Sequence, residues 1–427
     1  MKSILIKNGH IIDPKNNVNT QADILIKDGK IAKIGKISER ADQEIDAKGM
    51  IVTPGLIDMH VHFREPGFEG KETILTGSKS AIRGGITSVL TMPNTNPPTD
   101  NAIMVAIQQQ KANKANYANI FISGCITQGQ KGERLANLTE MVDQGIIALT
   151  DDGHDVFDEF ILKNAYKYAN DYNLPLLVHA EIPVLGKGHV NEGEVSFKLG
   201  LEGIPHSAED IAIYKNIILA QEADAQIHIG HIATKGGVEA VKFFKEKGVK
   251  VSAEAAPHHF ALTDQECLDF NTNCKMYPPL RTEEDKKAII KGLQDGTIEV
   301  IATDHAPHKK SEKNVPFQDA PRGTIGTETC FSAINTYLVK TKALSIEEAI
   351  CKMTKNPSKI LKINKGGLAI GDDADVAIFD TEAEWLVKKE DFISKSCNSA
   401  FIGKSLQGKC VHTIVGGEIK MQNSKVI

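Results

Sequence analysis

Eight short, near-continuous apolar runs recur through the middle of this chain: GLIDMHV, ITSVLTMP, IFISGCI, IIALTD, LPLLVHA, QIHIGHI, VKVSAEA and IEVIATD. Between them lie helix-like stretches such as NAIMVAIQQQKANKAN, VEAVKFFKEKG and EEDKKAIIKGLQDG. A strand that is apolar on both faces has to be buried on both, which a parallel sheet covered by crossover helices provides. Eight such units predict an α/β fold, a closed (β/α)8 TIM barrel. The 427 residues suit one large domain of that kind plus an accessory one.

The two ends of the chain have a different texture. The first fifty residues run through ILIKNGHII, ADILIKDGKIAKIG and EIDAKGMIVTPG, with Gly and Asp-Gly punctuation that predicts hairpins of a small sheet. The last sixty resume that pattern in GDDADVAIFD and CVHTIVGGEIKM. Each end is incomplete alone, so both are expected to pair into one β-sandwich domain. Residues 1–54 plus 360–427 would form it, and 55–359 the barrel. Turn signals at Pro54–Gly55 and at Asn356–Pro357, after SIEEAICKMTK, mark the boundaries.

A hydrophobic content of 41% and a charged content of 25% are those of an ordinary globular protein. No stretch approaches the ~18 apolar residues of a membrane span, and Met1 to Lys7 lacks the regions of a secretory signal. A cytoplasmic location is therefore expected. The seven cysteines are scattered and never form C-x-x-C, which predicts reduced thiols and leaves nitrogen and oxygen to hold any metal. A net charge of −5 without a basic stripe argues against nucleic acid as the main partner. The local basic run Lys309, Lys310 and Lys313 reads as a solvated loop.

His60 and His62, in DMHVHFREPG, are two apart on an extended strand, so both rings point to one face and can reach one ion. A single His-x-His is weak, because strands entering loops often carry histidines with no chemical role. Its company strengthens it: Asp152 in ALTDDG, His179 in PLLVHAE, His231 in IHIGHIAT and Asp304 in VIATDHAPH each end an apolar run. In a barrel that end of the strands is where functional groups gather. Two cations about 3.5–4 Å apart can activate water and polarise a carbonyl together. His60, His62 and Asp304 could hold one and His179 and His231 the other, with Asp152 between them. Asp304 could also accept a proton and return it to a leaving nitrogen. Which of Asp151 and Asp152 takes part is open. His228 reads as a core histidine, and His258 and His259 as either site-lining or structural.

With these residues assembled, the chain resembles the amidohydrolase superfamily and, within it, the bacterial dihydroorotases close to the multifunctional pyrimidine enzymes. The motifs are PGLIDMHVHFREPG with KET following, GGITSVLTMPNTNPP, LTDDG, VHAE, GHIAT, AEAAPHHF, PPLR, GTIEVIATDHAPH and GLAIGDDADVAIFD. The resemblance implies zinc, one or two ions per subunit, on His60, His62, His179, His231 and Asp304, with Asp152 bridging and Asp304 catalytic. It implies substrate contacts at His62, Arg64, Asn94 and His308 and on the backbone of Arg322 and Gly323. The implied reaction is the reversible cyclisation of N-carbamoyl-L-aspartate to L-dihydroorotate in pyrimidine (UMP) biosynthesis. A guanidinium suits the exocyclic carboxylate of dihydroorotate, which it can grip with two parallel hydrogen bonds. The segment HKKSEKNVPFQDAPRG reads as a polar loop over the substrate. Two positions depart from the family: Tyr277 stands where asparagine is usual, and Arg322 where an apolar residue is common.

Two rivals share these residues. Another cyclic amidase, a hydantoinase or allantoinase, would have the same fold and metals, but Arg64 and an aspartate at the bridge weigh against it. An inactive dihydroorotase-like partner of aspartate transcarbamoylase would have lost metal ligands, and none is missing. By family analogy the chain is expected to form a homodimer, and association with aspartate transcarbamoylase is a further partnership open to it.

Overall fold

The computed structural model describes residues 3–427; Met1 and Lys2, which open the expected accessory segment and the Met1–Lys7 stretch, lie outside the described residues. The chain starts with β1 (Ile4–Asp13), β2 (Val18–Lys27), β3 (Lys30–Gly35), β4 (Gln43–Asp46) and β5 (Ile51–Pro54). β1 to β3 form an antiparallel meander, while β4 and β5 run parallel to β1. The Asp-Gly signal is realised between β2 and β3, where Asp28 and Gly29 have φ of 50° and 75°. Positive φ at both central residues is the two-residue hairpin turn whose twist matches the strands.

The barrel strands are β6 (Leu56–Val61), β7 (Ile86–Thr91), β8 (Asn119–Gly124), β9 (Ala148–Leu149) and β10 (Leu176–Val178). After a small ribbon of β11 (Val190–Asn191) and β12 (Gly203–Ile204) come β13 (Ile227–Ile229), β14 (Val251–Ala255) and β15 (Val300–Ile301). All eight expected barrel strands are present and pair in parallel in the order β6-β7-β8-β9-β10-β13-β14-β15. Every residue of β6, β7 and β14 is buried, as continuous apolar strands require.

A buried carboxylate and a backbone hydrogen bond help to close the ring between β6 and β15. The carboxylate of Asp58 accepts from the amide and hydroxyl of Thr303 at 3.0 and 2.6 Å, and His62 N donates to His305 O at 2.9 Å. Both contacts sit beside the site residues, so barrel closure and site geometry are one constraint. The crossover helices are ended by their own sequence. Thr282 and Asp285 form a reciprocal cap at the start of the helix Glu283–Asp295, and Gly296 ends it at φ 81°.

The chain finishes with β16 (Val376–Leu386), β17 (Ser405–Val415), β18 (Glu418–Gln422) and β19 (Lys425–Val426). β16 pairs antiparallel with β5 through Ile378 and Val52, so both termini build one nine-stranded sheet. Ile4, Ile24, Ile31 and Ile45 share a core with Val376 and Ile414 from its other half. Each fully buried aliphatic side chain there contributes about 1.5–3 kcal/mol.

Candidate metal centre and substrate cleft

The strand ends deliver all six expected side chains to one point. His60 ends β6 with Val61, and His62 follows it. His179 directly follows β10, His231 stands two residues past β13, and Asp152 and Asp304 three residues past β9 and β15. None of the six is more than 5% exposed. Asp152 is the hub: its Oδ1 lies 3.2 Å from His60 Nε2, 3.5 Å from His231 Nε2 and 3.8 Å from His179 Nδ1, and its Oδ2 3.4 Å from His62 Nε2. Asp304 Oδ1 lies 3.2 Å from His62 Nε2 and 3.8 Å from His60 Nε2.

These residues fit a metal on their own chemistry. His60 Nε2, which faces Asp152 and Asp304, is buried without a hydrogen-bond partner, a cost that coordination would remove. His60, His62 and Asp304 form one group of donor atoms within 4.8 Å of one another, and His60, Asp152 and His231 another. Burial works against a charged His60, yet the carboxylates of Asp152 and Glu254 hold its pKa well above the ordinary value. Burial likewise opposes the Asp152 carboxylate, and His60 and His231 overcome it and hold Asp152 well below the usual range. The pocket therefore calls for positive charge between rings and carboxylates, which a cation bound by nitrogen and oxygen supplies.

The backbone is strained at this rim. Arg64, His231 and Asp304 have φ of 61°, 32° and 47°, a region in which side-chain-bearing residues cost about 1–3 kcal/mol each. Surrounding contacts hold them there, including Thr303 on Asp58 and His62 N on His305 O.

The aspartate pair divides its tasks. Asp151 accepts from the amides of Ile126 and Thr127 at 2.8 and 3.1 Å and braces the loop after β8, while Asp152 joins the histidines. Asn94 Oδ1 lies 2.8 Å from His62 Nδ1, so it orients that ring. Glu254, which sequence reasoning missed, lies at the end of β14 with Oε1 2.6 Å from His60 Nδ1 and Oε2 3.2 Å from His228 Nε2. Its only signal was an acidic residue inside the small-residue run VSAEA. His228 is fully buried on Glu254 and Ser252, the core histidine expected. His258 and His259 are buried too, and His259 Nε2 lies 3.2 Å from Pro278 O.

A cleft of about 170 Å³ opens onto this cluster, and Arg64, Asn94, His308, Arg322 and Gly323 all line it. Arg64 is half-buried, and burial lowers its pKa to about 10. Among the described residues its guanidinium makes no ion pair, and that group's one hydrogen bond runs from Nε to Pro307 O at 3.4 Å. A guanidinium with so few hydrogen-bond partners beside a cleft has donors to spare for an anion. His308 Nε2 donates to Arg322 O at 2.8 Å, and burial drives its pKa down to about 2. Gly323 has φ 138°, and a Cβ there would lie 2.8 Å from that of Ala306. Only glycine lets this turn approach His308 so closely.

One expectation needs correction. Lys313 is not part of a solvated loop: it is 6% exposed, and its Nζ donates to Thr272 O, Lys275 O and Pro321 O at 2.9, 3.2 and 2.7 Å. Three carbonyls replace water around the ammonium, so a residue that reads as surface charge instead ties down the loop bearing His308 and Arg322.

Known proteins share the sequence and the fold of this chain. Residues 51–420 match the amidohydrolase family. The chain is 47% identical over 421 residues to a dihydroorotase of Elusimicrobium minutum, covering 98% of each chain. It is 47% identical over 416 residues to a dihydroorotase of Ruminiclostridium cellulolyticum, covering 97% of each. Among solved structures, L-hydantoinase from Arthrobacter aurescens superposes with a TM-score of 0.90 at 26% identity, covering 100% of this chain and 98% of that one. Dihydropyrimidinase from Brevibacillus agri superposes at 0.87 with 22% identity, over 100% and 96% of the two chains, a likeness of fold alone.

Proposed function

The chain belongs to the amidohydrolase family, and we propose that it catalyses the reversible cyclisation of N-carbamoyl-L-aspartate to L-dihydroorotate. The observation that carries this reading is the unpaired Arg64 guanidinium in the same cleft as the buried His and Asp cluster. Its relatives at 43–47% identity bear the name dihydroorotase over nearly their full length. No helix among the described residues is long and apolar enough to cross a membrane.

In this reading Arg64 grips the exocyclic carboxylate with two parallel hydrogen bonds, and Asn94, His308 and the backbone at Arg322 and Gly323 complete the seat. His60, His62, Asp152, His179, His231 and Asp304 hold zinc, one or two ions. When bound, the metal lowers the pKa of water and polarises the scissile carbonyl. Asp304 takes the proton from the attacking water and returns it to the ring nitrogen as the C–N bond breaks. In the biosynthetic direction Asp304 accepts the proton of the carbamoyl nitrogen as that atom attacks the carbon of the protonated side-chain carboxyl, and passes it to the departing hydroxyl, which leaves as water as the C–O bond breaks. The buried walls exclude bulk water from this exchange.

Hydantoin and allantoin lack the carboxylate that Arg64 would grip, which leaves a desolvated cation without a partner. Turnover of dihydroorotate, hydantoin and allantoin by the purified protein, alongside metal analysis, tests the reading. A preference for hydantoin or allantoin overturns it, and a metal-free protein that zinc cannot activate favours an inactive partner role.

A further inference from the structure

One wall of the cleft is made by Tyr277 and Arg322. The Cζ of Arg322 stands 4.2 Å from the centre of the Tyr277 ring. Its Nη2 donates to the carbonyls of Gly186 and Gly188 at 2.7 and 2.6 Å, and its own carbonyl accepts from His308 Nε2 at 2.8 Å. Arg322 therefore bolts the segment after β10 to the loop after β15. Tyr277 is itself held at both ends, its hydroxyl donating to Glu181 Oε1 and its ring 4.4 Å from that of His179. Gly186 permits the approach: a Cβ there would stand 1.6 Å from Glu181 Oε1.

Tyr277 and Arg322 each supply what the other lacks. A planar cation that stacks on a ring while donating in its own plane needs both an aromatic face and in-plane acceptors. Asparagine at 277 would offer no face. An apolar residue at 322 would leave two carbonyls without a donor.

We infer that Tyr277 and Arg322 act as one positioning pair, which fixes the segment at Gly186 and Gly188 against the loop bearing His308 and Gly323 and so sets the grip on substrate. This rests on the dihydroorotate reading above. The test compares kcat and KM for dihydroorotate in the zinc-loaded wild type, Tyr277→Asn, Arg322→Leu and the double variant. Each single change is expected to raise KM about 5- to 20-fold with kcat within about threefold, and the double no more than the worse single. Tyr277→Phe keeps the ring and should stay within about twofold of the wild-type KM, while Arg322→Lys should behave as Arg322→Leu.

KM effects that multiply in the double variant overturn the pair. So does a Tyr277→Phe enzyme as impaired as Tyr277→Asn, because the hydroxyl on Glu181 would then be the working contact. A wild type without dihydroorotate turnover defeats the substrate reading instead, so the two failures are distinct.

Discussion

Oε1 of Glu254 lies 2.6 Å from Nδ1 of His60, and the same carboxylate reaches His228 Nε2 with its other oxygen. A carboxylate on Nδ1 keeps the proton there and leaves Nε2, the atom facing Asp152, as a lone pair for a metal. His228 in turn holds Glu254, and is itself held by Ser252 at 2.8 Å. The strands β6, β13 and β14 are thus tied behind the cluster by one buried chain of hydrogen bonds.

Glu254→Gln is expected to weaken metal binding about 10- to 100-fold, because the amide can still accept from the ring but brings no charge. Chelator competition on the purified variant measures this directly. Unchanged affinity would reduce Glu254 to packing.

Asp304→Asn should lower kcat by about 10²- to 10⁴-fold, the range for loss of a positioned acid–base group. Because Asp304 also faces the metal donors, the assay needs saturating zinc and a parallel metal measurement. Recovery of activity with added zinc would mean that Asp304 serves only to hold the ion.

Arg64→Lys keeps the charge but not the planar fork. KM for dihydroorotate should rise at least about tenfold, corresponding to the loss of one charge-assisted hydrogen bond. Any residual hydantoin hydrolysis should be insensitive to the change. Equal effects on both substrates would place Arg64 in the framework of the cleft.

The barrel and the six clustered residues were legible because burial and function conflict there. An apolar run that ends in histidine or aspartate is locally costly, and the cost marks the strand end. Glu254 escaped because its partner His60 is 194 residues away and nothing local distinguishes an acidic residue in a short strand. Asn398 escaped for the same reason. It lies between β16 and β17, outside the barrel strands, yet accepts from His308 N at 3.0 Å and donates to Ala306 O and Gly323 O at 3.1 Å. The Arg322 stack on Tyr277 depends on loop geometry that no periodicity encodes. Lys313 was misread because its acceptors are backbone carbonyls, which every residue carries and no sequence pattern reveals.

Lys313 also predicts a pH dependence of stability. Burial, with Lys275 nearby, lowers its pKa from 10.5 to about 7. An unfolded chain would keep the proton up to about 10.4. Between these values the unfolded state binds more protons than the folded one, so this group's contribution to stability rises with pH. It is complete above the unfolded pKa and lost as pH falls through about 7. Lys313→Met removes the titration and leaves three carbonyls without a donor, so the variant should be less stable throughout. The gap to wild type should widen from pH 7 to pH 10, approaching about 1.4 kcal/mol for each unit of pKa depression. Urea unfolding of both proteins across that range measures it. A constant gap would show that the carbonyls of Thr272, Lys275 and Pro321 stabilise the ammonium enough to restore its ordinary pKa.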